Sequence, residues 1–239
     1  LKRRVIGIII ALILAAFCML CMLSSGEHWT RPENLFVLNA SKACFVIIDM
    51  QNFSCAPENG EPLPHIDQVI TKVNMLADFF RRIGVPVIWV RHNINTTADQ
   101  AGTDAGLYPA FHDMNDTKRV SNLGSGTGIF PAMHYDPAAD YVVFKNRYSA
   151  FLSNPPQLQK RLESLGRTQL VIAGIAANVC VESTLRDAMQ LDYEVVLVSD
   201  GITASNETLL ESTLTNTRLF FGDVRTAKEV MEALGGNTA

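Results

Sequence analysis

The chain alternates two kinds of apolar pattern, and the alternation restricts it to one broad class of fold. Short, largely uninterrupted apolar runs occupy Ala43–Ile48 and residues 85–90, 141–144, 170–173 and 194–199. Their length and composition suit strands buried on both faces. Stretches with helical spacing separate them. Ile66, Val69, Ile70, Val73, Leu76, Ala77 and Phe80 recur at three- and four-residue steps, and Gly84 ends that helix. Further helices are expected over 155–166, with proline at the start and glycine past the end, over about 178–191, and over 205–217. A short last strand is expected at 219–221. Thr226 and Glu229 then form a capping box that starts a final helix to Leu234. Such alternation specifies an α/β fold with a mostly parallel sheet and right-handed crossovers. Ligands of these sheets bind beyond the carboxyl ends of the strands. Residues 93–140, rich in glycine and proline, read as a long functional loop with short helical pieces.

Composition narrows the function classes. The 239 residues can bury a substantial core, and 48% hydrophobic with 18% charged residues is ordinary for a globular domain. A net charge of −4, from 20 basic and 24 acidic residues, lacks the basic excess that nucleic-acid binding needs. Five cysteines are too few for a disulfide scaffold, and Cys44, Cys55 and Cys180 show no zinc spacing.

The N-terminus carries a separate signal. Lys2, Arg3 and Arg4 precede an uncharged apolar run at residues 5–23. A helix needs about 20 apolar residues to cross a membrane. The exit, Leu23-Ser24-Ser25-Gly26, is a poor cleavage site. The expectation is an uncleaved single-pass anchor over 1–25, its basic end cytoplasmic and the domain extracytoplasmic; cleavage would make the protein secreted. Sequons at Asn39, Asn52, Asn95, Asn115 and Asn206 give weak support.

Three strand ends carry reactive groups. The first ends at Asp49, the third at Lys145, and the fourth leads through Gly174–Val179 to Cys180. Each has a bland reading alone: a turn residue, a solvated lysine, a small packing residue. Together they suit nucleophilic catalysis. Cys180 is expected in the first turn of its helix, with Asn178 as N-cap, where the helix dipole and Lys145 favour a thiolate and lower the thiol pKa. Asp49 takes the thiol proton and later activates water. The small residues of 174–179 let backbone N–H groups approach a substrate oxygen. Glu182 reads as a helix-start carboxylate.

These segments resemble the isochorismatase-like cysteine hydrolases. The matching stretches are IIDMQN at 47–52, VIWVRH at 87–92, FKNRYSAF at 144–151, AGIAANVCVESTLRDA at 173–188 and FFGDVRTA at 220–227. The resemblance covers roughly residues 40–235, and its motifs look most like those of ureidoacrylate amidohydrolases. It implies a three-layer α/β/α fold with a six-stranded, mostly parallel sheet, and a dimer or tetramer. It implies a catalytic triad of Asp49, Lys145 and Cys180, a cis peptide at Ile175–Ala176, and oxyanion donors at the N–H groups of Ala176 and Cys180. The implied reaction is thiolate attack on a small amide or ureide, with a thioester intermediate. His92, Tyr148, Phe53 and Arg147 become candidates for substrate contact, Arg147 toward a carboxylate. The nicotinamidase branch binds a metal through an Asp-x-His motif; residues 91–112 offer His92 and His112 without it, so neither metal nor cofactor is expected. The chain then divides into an anchor at 1–25, a linker at 26–39 and a hydrolase domain at 40–239.

Other readings compete. Vinyl-ether hydrolysis of the isochorismatase type is disfavoured by Cys180, which relatives with that activity often lack. A membrane-tethered binding protein without catalysis is disfavoured by the intact triad. A dinucleotide site at Gly124, Gly126 and Gly128 lacks the strand–helix context. A redox-sensing Cys180 would have only Cys55 as a resolving partner.

Overall fold

The computed structural model describes residues 34–56, 63–92, 128–145, 147–152 and 156–235. The expected anchor at 5–23, most of the linker, most of the long loop, His112, Asn95 and Asn115 lie outside the described residues. No helix among the described residues is long and apolar enough to cross a membrane.

Six strands form one sheet: β1 (Ala43–Ile48), β2 (Val87–His92), β3 (Tyr141–Lys145), β4 (Gln169–Gly174), β5 (Glu194–Ile202) and β6 (Asp223–Arg225). All pairings are parallel, and the spatial order is β3-β2-β1-β4-β5-β6. The helices are α1 (Asn52–Cys55), α2 (Ile66–Arg82), α3 (Gln157–Leu165), α4 (Glu182–Gln190), α5 (Glu207–Asn216) and α6 (Ala227–Ala233). Successive β1 side chains point to opposite faces. Ala43, Phe45 and Ile47 enter the core shared with α2 and α6, while Cys44, Val46 and Ile48 enter the core shared with α3, α4 and α5. The result is the expected three-layer α/β/α arrangement. The helical stripe read from the sequence is the face that α2 buries.

Strand ends differ from the sequence reading. β2 runs on to His92 because Arg91 and His92 pair with Phe144 and Lys145. β5 runs on to Ile202, with a register irregularity opposite β4. The strand expected at 219–221 is instead a π-helical turn, Thr217–Phe221, and the strand follows at Asp223–Arg225. Phe220 is exposed, and Phe221 lies under the Arg186 guanidinium at 4.0 Å. Their apolar character serves no strand. Pairing starts only after Gly222, where a Cβ would stand 2.5 Å from the Val195 carbonyl oxygen.

The end of the expected linker is bonded into the domain. The Leu35 N–H donates to Asp223, the Asn39 N–H donates to Gln169 Oε1 at 2.7 Å, and Gln169 Nε2 donates to the Val37 carbonyl at 2.9 Å. Leu38 is buried. This segment ties down the amino end of the sheet.

Candidate active site

The strand order reverses between β1 and β4, so a crevice is expected beyond their carboxyl ends. The two ends are pressed together. A Cβ on Gly174 would stand 2.2 Å from the Ile48 carbonyl oxygen, and Gly174 has φ +118°, so only glycine fits. The Ile175 N–H donates to that oxygen at 3.0 Å. The Ile175–Ala176 peptide is cis, as the resemblance implies. Asp49 leaves β1 with φ +52°, a left-handed conformation that aspartate tolerates. Its carbonyl accepts from the Gln51 N–H and the Ser54 hydroxyl, each at 2.8 Å.

Lys145 joins the three strand-end groups. Its Nζ stands 2.8 Å from Asp49 Oδ2 and 3.2 Å from Cys180 Sγ. It also donates to the Arg147 carbonyl at 3.1 Å and lies 3.4 Å from His92 Nδ1. An ammonium has three protons, and the three nearest acceptors, Asp49, the Arg147 carbonyl and the Cys180 sulfur, match that number. Lys145 is 1% exposed. Burial alone would lower its pKa, but the Asp49 charge and the Cys180 sulfur outweigh it and hold the ammonium above its ordinary value.

The state of Cys180 corrects the sequence reading. Burial and the Asp49 charge push its thiol up to about 12, although Lys145 acts in the opposite direction. The expected helix-start position is also different. Cys180 lies in a π-helical turn, Ala177–Val181, and α4 begins at Glu182. Asn178 is not the cap. Ala176 flanks the turn, and its carbonyl accepts from the N–H groups of Val179 and Val181. Cys180 therefore rests as a thiol, with the Asp49 side chain beside it. Asp49 Oδ1 has no hydrogen-bond partner among the described residues.

The isochorismatase domain matches residues 43–229. The chain belongs to the isochorismatase family. It is 30% identical over 221 residues to the ureidoacrylate amidohydrolase RutB of Methylobacterium radiotolerans, covering 86% of this chain and 84% of that protein. It is 30% identical over 218 residues to nicotinamidase 3 of Arabidopsis thaliana, covering 90% and 98%. The crystal structure of a cysteine hydrolase from Pseudomonas syringae pv. phaseolicola shares the fold, with a TM-score of 0.74 and 23% identity over 85% of this chain and 97% of that one.

The other candidate residues of this isochorismatase-family site fall into two groups. His92 and Arg147 reach Lys145, His92 through its ring and Arg147 through its carbonyl. Tyr148 is half-buried against the core that contains Cys180. Phe53 is half-buried in α1, just after Asp49. Glu182 behaves as a structural carboxylate, accepting from Arg186, Thr213 and Asn216. Among the described residues, no group of three His, Cys, Asp or Glu side chains could hold a metal ion.

Gln51 escaped the sequence reading. It is fully buried, and its side chain bonds the His92 main chain twice: Oε1 accepts from the N–H at 2.6 Å and Nε2 donates to the carbonyl at 3.2 Å. This fastens the Asp49 turn to the strand end that faces Lys145. The available signal was a neutral amide two residues past a strand-end aspartate, which periodicity does not flag.

Proposed function

We propose that the chain is a cysteine hydrolase that cleaves a C–N bond in a small amide or ureido compound through a thioester. The observation that carries this reading is the position of the Lys145 ammonium, within hydrogen-bonding distance of both Asp49 and the Cys180 sulfur in a buried site. The activities named for the two relatives, one an ureidoacrylate amidohydrolase and the other a nicotinamidase, support the bond class.

In this reading Asp49 takes the proton of the Cys180 thiol as sulfur attacks the carbonyl carbon. Because the thiol is held up to about 12, the proton moves only with substrate present, when the forming C–S bond removes charge from sulfur. Lys145 stabilises sulfur while it carries negative charge and keeps Asp49 oriented. The N–H groups of Ala176 and Cys180 receive the carbonyl oxygen as it becomes an oxyanion; one such donor contributes about 3–4 kcal/mol in known cases. Among the described residues, no backbone carbonyl accepts from the Ala176 N–H. Protonated Asp49 returns its proton to the leaving nitrogen as the C–N bond breaks, leaving the thioester. Asp49 then takes a proton from water, whose oxygen attacks the thioester carbon, and the proton returns to sulfur. His92, Tyr148, Phe53 and Arg147 border this centre as substrate-contact candidates.

The test is ammonia release by the full chain over ureido acids, carbamoyl amino acids, nicotinamide and simple amides, with Cys180→Ala alongside. Release that disappears in the variant is expected. Release that persists in Cys180→Ala refutes the nucleophile, and a wild type inert to the whole panel with a sluggish Cys180 thiol refutes the hydrolase.

A further inference from the structure

Lys145 is held on the carboxylate side by Asp49 and on the other side by main chain. The carbonyl of Arg147 accepts from its Nζ at 3.1 Å. Three residues further along the same loop, the Ala150 N–H donates to Thr184 Oγ1 at 3.1 Å. Thr184, fully buried in the first turn of α4, donates its own proton to the Cys180 carbonyl at 2.7 Å. The connections close into a ring: Cys180 sulfur, Lys145 ammonium, Arg147 carbonyl, the loop to Ala150, the Thr184 hydroxyl, and the main chain of Cys180.

We infer that Thr184 is a positioning residue whose hydroxyl sets the separation of Lys145 Nζ from Cys180 Sγ. The inference rests on the proposed roles of those two groups. A threonine bonding the carbonyl four residues back is common in helices and by itself means little. What distinguishes Thr184 is its second bond, to a loop 34 residues distant in sequence that also supplies an acceptor for Lys145. The position needs a group that donates and accepts at once, which a hydroxyl does and a methyl does not. Valine matches the volume and breaks both bonds, so Thr184 no longer ties the loop to the Cys180 main chain. The loop then relaxes, and the ammonium moves with it. Serine keeps both bonds.

The experiment uses the full chain and iodoacetamide. The alkylation rate of Cys180 is followed by mass spectrometry of its peptide, with Cys44 and Cys55 as internal references. For a mostly protonated thiol the rate follows the thiolate fraction, so the logarithm of rate rises linearly with pH. In Thr184→Val that line is expected to move up by about one pH unit, about tenfold slower at each pH, the order of effect of a close opposite charge. Thr184→Ser is expected within about twofold of wild type, and on an amide that the wild type turns over, Thr184→Val lowers kcat about tenfold with KM unchanged. If the valine variant fails to fold, Thr184→Ala removes the hydroxyl with less crowding and is read the same way. A lowered melting temperature with an unmoved alkylation line overturns the inference, as does a serine variant as slow as valine. Failure of the underlying reading looks different: Cys180→Ala then keeps its hydrolysis, whereas failure of the Thr184 role leaves hydrolysis dependent on Cys180 and indifferent to valine.

Discussion

At the carboxyl end of the sheet Lys145 holds Asp49 at 2.8 Å; on the edge strand β6 Arg225 holds Asp223 at 2.6 Å. In both pairs each side chain is less than a tenth exposed. The surroundings of the two carboxylates differ. Asp223 is bonded on both oxygens: Leu35 donates to each, and Arg225 donates to Oδ2 and also to the Phe36 carbonyl. A carboxylate so occupied can only hold, and what it holds is the segment entering the sheet. Asp49 gives one oxygen to Lys145 and leaves Oδ1 without a hydrogen bond among the described residues, beside a thiol that burial, and then the Asp49 charge, keeps protonated. An unsatisfied buried acceptor costs about 1–3 kcal/mol. One sheet thus carries two similar buried ion pairs: the Asp223 carboxylate is hydrogen-bonded on both oxygens and the Asp49 carboxylate on one, while Arg225 Nε, like Asp49 Oδ1, has no hydrogen-bond partner among the described residues.

The contrast is broken most severely at Cys180. Cys180→Ala is expected to lower kcat by more than about 10⁴-fold, as loss of a covalent nucleophile does, while the melting temperature stays close to wild type. Asp49→Asn comes next, with kcat lower by about 10²–10⁴-fold. The same substitution should speed alkylation of Cys180. Burial and the Asp49 charge both raise the thiol pKa, so removing the charge moves it down from about 12 and increases the thiolate fraction at neutral pH. Loss of hydrolysis together with faster alkylation is the signature of a base. If both fall together, Asp49 serves to hold Lys145 and not to move a proton.

Asp223→Ala tests the other pair. It leaves Arg225 buried without its counter-ion, a change that costs about 3–5 kcal/mol in comparable cases. Urea unfolding should show that loss, while kcat per folded molecule stays within about twofold because Asp223 touches none of the reacting groups. A large fall in kcat with little loss of stability would mean that the two pairs are coupled, and the contrast between them would fail.

How far the sequence discloses this arrangement depends on which interactions decide each part. Burial decides β1: all six residues are covered on both faces, so an unbroken apolar run announces the strand with its true ends. Burial also decides α2, whose stripe needs only spacing to be read. The positions of Asp49, Lys145 and Cys180 follow from strand ends alone, because the carboxyl edge of a parallel sheet gathers them. The resting state of Cys180 does not follow. The helix-start argument counts dipole and ammonium, but the deciding influences are burial and a carboxylate from a strand 131 residues earlier in sequence. The same limit hides Gln51 and Thr184, whose partners lie 41 and 34 residues away. At 219–221 an apolar run misleads because Phe221 packs under an arginine of α4 and not in the sheet.

A third carboxylate sharpens the comparison at its small end. Glu229 belongs to the capping box of α6; it accepts from the Thr226 N–H at 2.7 Å and the Thr226 hydroxyl at 2.8 Å, in an exposed position. The backbone bond, then the hydroxyl, with help from Arg225, holds its carboxyl below the usual range. The sign follows: a depressed folded-state pKa gives stability that is present above the unfolded value of about 4.3 and is lost as pH falls through the lower folded value. Thr226→Ala should cost about 1 kcal/mol at neutral pH, the ordinary value of a cap. Glu229→Gln should cost less, since an amide oxygen still accepts, and its difference from wild type should vanish on acidification below the folded-state pKa. Melting temperatures of the two variants at neutral and acidic pH measure both effects. If Thr226→Ala costs as much as Asp223→Ala, burial is not what separates a holding carboxylate from a surface cap, and the value assigned to the Asp223–Arg225 pair must come from the chain segment it fastens instead.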